Sequence, residues 1–177
     1  MSLSDYPLVR DWLGVKDGRL HLRTGKVDLG QRISTALMCI AEQELSVTPD
    51  RIDIDPVRTG ESPDEGITSG SNSIEQSGAV QRLACATARE WALTTVADAL
   101  GVQADALSLD DGRISHRGTN DTRDLLDVLV ALPADLPVDP QAPARTSHDP
   151  VPDVPPRGLR DMVEGRFVYV HDLERPG

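Results

Sequence analysis

The chain has 177 residues, a formal net charge of −11 and a sequence pI near 4.7. So acidic a chain lacks the basic footprint of a nucleic-acid or anionic-membrane binder, and those classes are excluded. Aromatic residues make up 3% of the sequence and Phe167 is the single phenylalanine, so the core must be built from Ala, Val, Leu and Ile. Such a core is thin for the length, and thin cores are often completed by a partner chain.

In chain order, residues 11–29 predict a strand, a turn at Asp17-Gly18 and a second strand, with Leu20, Leu22 and Val27 alternating with polar residues. Gly30 breaks that pattern and an amphipathic helix is predicted over 32–46, carried by Ile33, Ala36, Leu37, Ile40, Ala41 and Leu45 at helical spacing. RIDIDPV (51–57) reads as a short alternating strand ended by Pro56, and 58–72 as a polar loop longer than most. A long helix is predicted from about Ser73 to Leu100, with Val80, Leu83, Ala84, Ala88 and Trp91 on one face and Gly101 as its stop.

Leu107–Leu109, Asp111-Gly112 and Arg113–Ser115 predict a second hairpin, followed by a short helix from Thr122 to Val130. From Leu132 to Pro156 there are eight prolines in 25 residues, which precludes a helix or a central strand. That stretch reads as an extended linker or a strap laid along a partner. GRFVYVHDL (165–173) alternates again and predicts a strand.

The expected fold class is α+β: short strands and hairpins packed with two main amphipathic helices, then a proline-rich linker and a C-terminal strand. Residues 1–131 read as one α+β half-domain and 132–156 as the linker or strap. Residues 157–177 read as the first strand of a following domain or a partner-docking strand. Nothing near Met1 resembles a charged-then-apolar signal, and no apolar run reaches membrane length. A soluble cytoplasmic protein is expected, with export alongside a signal-bearing partner left open. Cys39 and Cys85 fall inside predicted helices, without CxxC or metal-ligand spacing, and read as buried thiols.

Two glycine-loosened loops each open a predicted helix, KVDLGQ before the first and GITSGSNS before the second. Helix N-termini present unpaired N–H groups and partial positive charge, so a phosphate or a pterin edge is a fitting guest. Two ordinary connections remain the competing reading.

Taken together, GKVDLGQ with its helix, DIDPVRTGESPDEGITSGSNSIEQSG, the long helix and GRFVYVHDLERPG resemble molybdopterin-binding subunits of molybdenum hydroxylases. The similarity is to the isoquinoline 1-oxidoreductase and nicotinate dehydrogenase branch, relatives of xanthine dehydrogenase and aldehyde oxidoreductase. It covers nearly the whole chain apart from the proline-rich stretch. Family members continue for several times this length, so the resemblance implies an N-terminal piece: a split subunit, a processed product or a truncation.

The resemblance further implies that Gly30 and Gln31 approach a molybdopterin, an amide offering donor and acceptor without charge and glycine admitting close backbone. It implies the same of Thr68, Ser69, Gly70 and Ser71, whose N–H groups and hydroxyls suit pterin and phosphate oxygens. Arg32 stands where the family usually has glycine. It is a candidate partner for a cofactor phosphate, or an obstruction where backbone needs room. Asp28 stands where glutamate is common. The family's catalytic glutamate near the far C-terminus and the cysteines of its iron–sulfur subunit have no counterpart here, so no catalytic residue is assigned.

The implied cofactor is molybdopterin, with its cytosine dinucleotide form left open, shared with a larger molybdopterin-binding subunit. Iron–sulfur clusters would sit on a further partner. The chain then contributes one wall of an enzyme that oxidises an N-heteroaromatic compound or an aldehyde with water-derived oxygen. The alternative is a non-catalytic scaffold or assembly subunit with a degenerate cofactor cleft.

Other constellations read as structural. His21, His116, His148 and His171 are scattered, and no metal ligand is assigned. Asp53 and Asp55 alternate across Ile54 toward one polar face, and Ser69 and Ser71 lack a neighbouring His–Asp set.

Overall fold

The computed structural model describes residues 2–145, 154–169 and 172–174. After a short helix α1 (Ser2–Asp5), strands β1 (Leu13–Lys16) and β2 (Arg19–Leu22) form an antiparallel hairpin with Lys16 opposite Arg19. Asp17 and Gly18 both take positive φ, 52° and 72°, as a two-residue hairpin turn requires. β3 (Ile52–Ile54) joins β2 in parallel, giving the order β1-β2-β3. A parallel partner needs a crossover, and helix α2 (Ile33–Leu45) supplies it.

The long helix opens with a π-helical turn (Ser73–Gly78) and continues as α3 (Ala79–Leu100), stopped by Gly101 at φ 66°. Its buried alanines, Ala84, Ala88 and Ala92, let it lie close against its neighbours. Leu37, Ala41 and Leu45 from α2, Leu20 and Leu22 from β2, and Trp12 close the same core. Trp12 is fully buried, and its indole N–H donates to the Tyr6 carbonyl at 2.9 Å. Leu83 and Trp91 lie at the margin, partly buried. Cys85 is buried, and the lack of solvation pushes its thiol up to about 12.

A second sheet has the order β4-β5-β6, formed by β4 (Leu107–Asp110), β5 (Arg113–His116) and β6 (Thr122–Asp124). Helix α4 (Leu125–Leu129) follows directly. The helix expected from Thr122 thus starts three residues later. Residues 122–124 complete a sheet edge, and the Asp124 carboxylate then accepts the Leu126 N–H at 2.9 Å as an N-cap. Arg51 holds the same carboxylate in a two-pronged pair at 2.9 and 3.0 Å, tying the lead-in to β3 to this second unit.

Over residues 132–145 the proline-rich stretch lies as a strap along this chain itself rather than along a partner. The Val9 N–H donates to the Leu136 carbonyl at 2.9 Å, the Val138 N–H to the Pro7 carbonyl at 2.7 Å, and Val138 and Ala142 are buried. Residues 146–153 lie outside the described residues. Helix α5 (Leu159–Val163) then precedes residues 165–169, which pair with no strand among the described residues. The N–H groups of Arg166 and Phe167 turn back to the Asp161 carbonyl at 2.7 and 3.0 Å, so the expected strand is replaced over these residues by a tight return. Val170 and His171 of that expectation lie outside the described residues, as does His148. The α+β class and the long helix hold.

Candidate functional site

Both glycine-bearing loops come to one edge of the molecule. The Val27 N–H donates to the Thr68 hydroxyl at 2.9 Å, and the buried Lys26 ammonium donates to the carbonyls of Glu65 at 2.6 Å and Ile67 at 3.5 Å. These bonds place Gly30, Gln31 and Arg32 on one side and residues 68–71 on the other, each ahead of its helix.

The two sides differ. The mouth of α2 is already filled: Asp28 accepts the N–H groups of Gly30 and Arg32 at 3.1 Å each, that of Ser34 at 3.4 Å, and the Ser34 hydroxyl. Burial alone would raise the Asp28 carboxyl, but the Ser34 hydroxyl and these three amides outweigh it and hold it below the usual carboxylate range. An internal carboxylate therefore takes the place expected for a ligand's anion at this helix N-terminus.

Gln31 is exposed, and its amide is folded onto its own loop. Its oxygen accepts the Leu29 N–H at 2.6 Å and its nitrogen donates to the Val27 carbonyl at 2.8 Å. One N–H and one lone pair of that amide remain for an outside group. Arg32 takes a left-handed conformation, φ 64° and ψ 34°, a backbone form that glycine adopts freely and that side chains resist. Its guanidinium has no partner among the described residues.

The second loop is open. Gly66, Gly70 and Ser71 have φ of 67°, 65° and 60°, and the Thr68 hydroxyl is engaged by Val27. The N–H groups of residues 67–71 have no acceptor among the described residues. Ile67, at 83% exposed, and Leu29, at 69%, rim the two loops with apolar side chains facing solvent. The donor set on this side fits a polar, anionic cofactor edge. On the α2 side Asp28 has taken up the N–H groups of Gly30, Arg32 and Ser34, and the side chains left to offer are the Gln31 amide and the Arg32 guanidinium.

Sequence reasoning missed what joins the loops. Thr24, Gly25, Lys26, Glu65 and Ser77 form a polar clasp behind them, detailed below. A buried polar group has no signature in hydrophobic periodicity, and only the threonine and lysine flanking Gly25 hinted at it.

On the neighbouring sheet, His21 Nδ1 lies 2.7 Å from Asp55, and Asp53 pairs with Arg19, whose hydrogen bond holds the Asp53 carboxyl low. The expectation that Asp53 and Asp55 share a polar face is met, with Arg19 and Arg23 as countercharges and the His21 ring hydrogen-bonded between them. Among the described residues no three His, Cys, Asp or Glu side chains group as metal ligands, and no helix is long and apolar enough to cross a membrane.

The sequence pattern of the family described as molybdopterin cofactor-binding domain matches residues 14–155. The chain belongs to that family. It is 29% identical over 169 residues to a subunit of nicotinate dehydrogenase from Pseudomonas putida, a match covering 90% of this chain and 14% of that protein. It is 31% identical over 114 residues to the gamma subunit of the 6-hydroxypseudooxynicotine dehydrogenase complex from Paenarthrobacter nicotinovorans, covering 64% of this chain and 14% of that one. The chain thus spans about one-seventh of the length of these curated relatives. Among solved structures it shares its fold with a reconstituted CO dehydrogenase from Oligotropha carboxidovorans, with a TM-score of 0.59 and 23% identity, covering 71% of this chain and 16% of that one. A Cu,Mo-CO dehydrogenase gives a TM-score of 0.54 at 21% identity, over 71% of this chain and 17% of that one.

Proposed function

We propose that this chain supplies one wall of a molybdopterin site in a molybdenum-dependent dehydrogenase or hydroxylase whose remaining walls come from partner chains. The observation that carries the reading is the open run of amides at 67–71, drawn by the Val27–Thr68 hydrogen bond beside Gln31 in a chain of the molybdopterin-binding family. In this reading Ser69, Gly70 and Ser71 present N–H groups to phosphate or pterin oxygens, and Thr68 holds the loop in register. Gln31 offers its spare donor and acceptor, Gly30 keeps the backbone low, and Arg32 offers a cation to a phosphate.

What a bound molybdopterin supplies is the redox step, oxidation of an activated C–H of an N-heteroaromatic compound or an aldehyde with oxygen from water. This chain's share is binding and orientation. A larger molybdopterin-binding subunit would complete the cleft, and an iron–sulfur subunit would take the electrons. The names of the two curated relatives favour an N-heterocyclic or related substrate. In this reading residues 157–177 dock on a partner, and the exposure of Val163, Val168 and Leu173 supports it.

Asp28 gives the scaffold reading its one specific support. It takes up the N–H groups of Gly30, Arg32 and Ser34 at the α2 mouth with the chain's own carboxylate.

The test is molybdenum and pterin content per chain in the assembly purified from its host. Gly70→Val puts a branched side chain on a left-handed backbone, where even its Cβ would stand 3.3 Å from Asn72 Nδ2, and cofactor content should fall sharply. Gln31→Ala should lower it by a smaller factor. Wild-type content in both would leave the scaffold reading.

A further inference from the structure

Behind the two loops lies a polar clasp that helix and strand formation do not require. Glu65 is 7% exposed, and one of its carboxylate oxygens, Oε2, gathers three donors: the Thr24 hydroxyl at 2.8 Å, the Gly25 N–H at 2.8 Å and the Ser77 hydroxyl at 3.1 Å. Thr24 Oγ1 also accepts the Lys26 N–H at 3.0 Å and lies 2.9 Å from the Ser77 hydroxyl. Lys26 reaches the other way, to the Glu65 and Ile67 carbonyls. Gly25 is what lets the strands of chain close up: a Cβ there would overlap the Pro63 carbonyl oxygen and stand 2.9 Å from the Glu65 nitrogen.

Three separate segments meet at this one oxygen. Thr24 and Gly25 lead into the Gly30–Gln31 loop, Glu65 leads into the 66–71 loop, and Ser77 sits in the π-helical turn that follows that loop. The widened turn faces Ser77 inward with no exposure, whereas Glu75 and Gln76 before it face solvent. Glu65 Oε1 is buried and takes no donor among the described residues. A carboxylate buried for core stability alone would be poorly used in that way, because an unmatched polar oxygen is destabilising. Its geometry is instead that of a tie between loops.

We propose that Glu65 is a positioning residue that fixes the separation and orientation of the two cofactor-facing loops through Thr24, Gly25 and Ser77. This rests on the molybdopterin-wall reading, and it adds a residue that touches no cofactor but determines whether Gln31 and residues 68–71 address one group together. Because the three donors converge on a single oxygen, an amide oxygen can replace it. Glu65→Gln preserves the tie, and Glu65→Ala removes it.

The experiment combines amide hydrogen exchange with molybdenum and pterin content, on the purified assembly. In Glu65→Ala, exchange of the hydrogen-bonded loop amides of Lys26, Val27, Leu29, Gly30 and Gly66 should rise by roughly tenfold or more while the middles of α2 and α3 stay as in the wild type. Cofactor content should fall with it. Glu65→Gln should stay within about threefold of the wild type on both readouts. Should Glu65→Ala not fold, Ser77→Ala decides, with the same loop-limited rise expected at smaller size. Unchanged loop exchange, or a rise spread equally through α2 and α3, overturns the proposal. So does Glu65→Ala with full cofactor content when Gly70→Val has lost it. If Gly70→Val and Glu65→Ala both keep full content, the wall reading itself fails and the proposal goes with it.

Discussion

The N–H of Val27 donates to the hydroxyl of Thr68 across 41 residues of sequence, at 2.9 Å and in an exposed position. It is the hydrogen bond that joins the two loops at their outer edge. Thr68→Val keeps the shape and removes the acceptor. At an exposed site that loss should be near the lower end of the ~0.5–1.5 kcal/mol range for a hydrogen bond. Cofactor content should drop more than stability does, because the loop loses its register. Thr68→Ser should match the wild type in both. Thermal denaturation and pterin content on the same preparations check this, and equal pterin content in Thr68→Val would count against the register argument.

Arg32 gives a prediction of opposite sign. A non-glycine residue in the left-handed region is strained by roughly 1–2 kcal/mol. Arg32 has no ion pair to offset that strain among the described residues. Arg32→Gly should therefore stabilise the chain, by about 1 kcal/mol after the extra freedom glycine brings to the unfolded state. For a chain of this size that is an upward shift in melting temperature of about 2–4 °C. Pterin content separates the roles left for the guanidinium: it falls if Arg32 holds a phosphate and rises if Arg32 obstructs. A melting temperature below the wild type would refute the strain account.

These two residues show where the sequence was legible and where it was not. Periodicity placed α2 within a residue at each end, and Gly101 marked the end of α3, because side-chain burial and left-handed backbone leave local signatures. The dipeptides Asp17-Gly18 and Asp111-Gly112 marked both hairpin turns for the same reason. Thr122–Asp124 was misread as helix because three residues completing a sheet edge carry no period of their own. The proline-rich stretch was expected as an extended linker or a strap laid along a partner, whereas residues 132–145 lie along this chain, since composition says nothing of what an extended chain lies against. The two loops were found by their glycines. The Asp28 carboxylate across the α2 mouth and the Glu65 clasp behind it are long-range polar arrangements, visible only in three dimensions.

Asp28 makes the helix mouth sensitive to acid. Its folded-state value is depressed, so its contribution is fully present above the unfolded carboxyl value, about 3.9, and is lost as pH falls from there through the lower folded value. Asp28→Ala should cost about 1 kcal/mol at neutral pH, the usual loss for a capping side chain, and much less at pH 2–3. Asp28→Asn retains an acceptor and should fall between. Denaturant melts at pH 7 and pH 3 give the comparison. A deficit for Asp28→Ala that is as large at pH 3 as at pH 7 would show that the charge contributes nothing.

The strap and the helix pair are fastened by one carboxylate. Glu44 is fully buried on α2 and accepts from Arg82 at 2.6 Å, from the Arg89 guanidinium of α3 and from the Arg145 N–H at 3.1 Å. Arg89 also donates to the Pro143 carbonyl, and the Arg145 side chain reaches the Ser46 hydroxyl and, at 3.0 Å, the Leu109 carbonyl. Arg89→Met leaves Glu44 buried with one charge partner fewer, and removal of one member of such a pair typically costs ~3–5 kcal/mol. The half-exposed Arg82 still faces Glu44, so the lower end, about 3 kcal/mol, is expected. Glu44→Leu strands Arg89 in the same way and should cost a similar amount. The double variant removes both buried charges together, and its loss should be well below the sum of the two, by about 2 kcal/mol or more. Strap release is read separately, as trypsin cleavage after Arg145, which should quicken in all three variants because each removes a side chain that anchors residues 143–145. Additive losses in the denaturant melts would show that Glu44 and Arg89 act independently. Unchanged cleavage after Arg145 would show that the strap is held by its other contacts, the backbone bonds at Leu136 and Val138 and the Arg145 side chain among them.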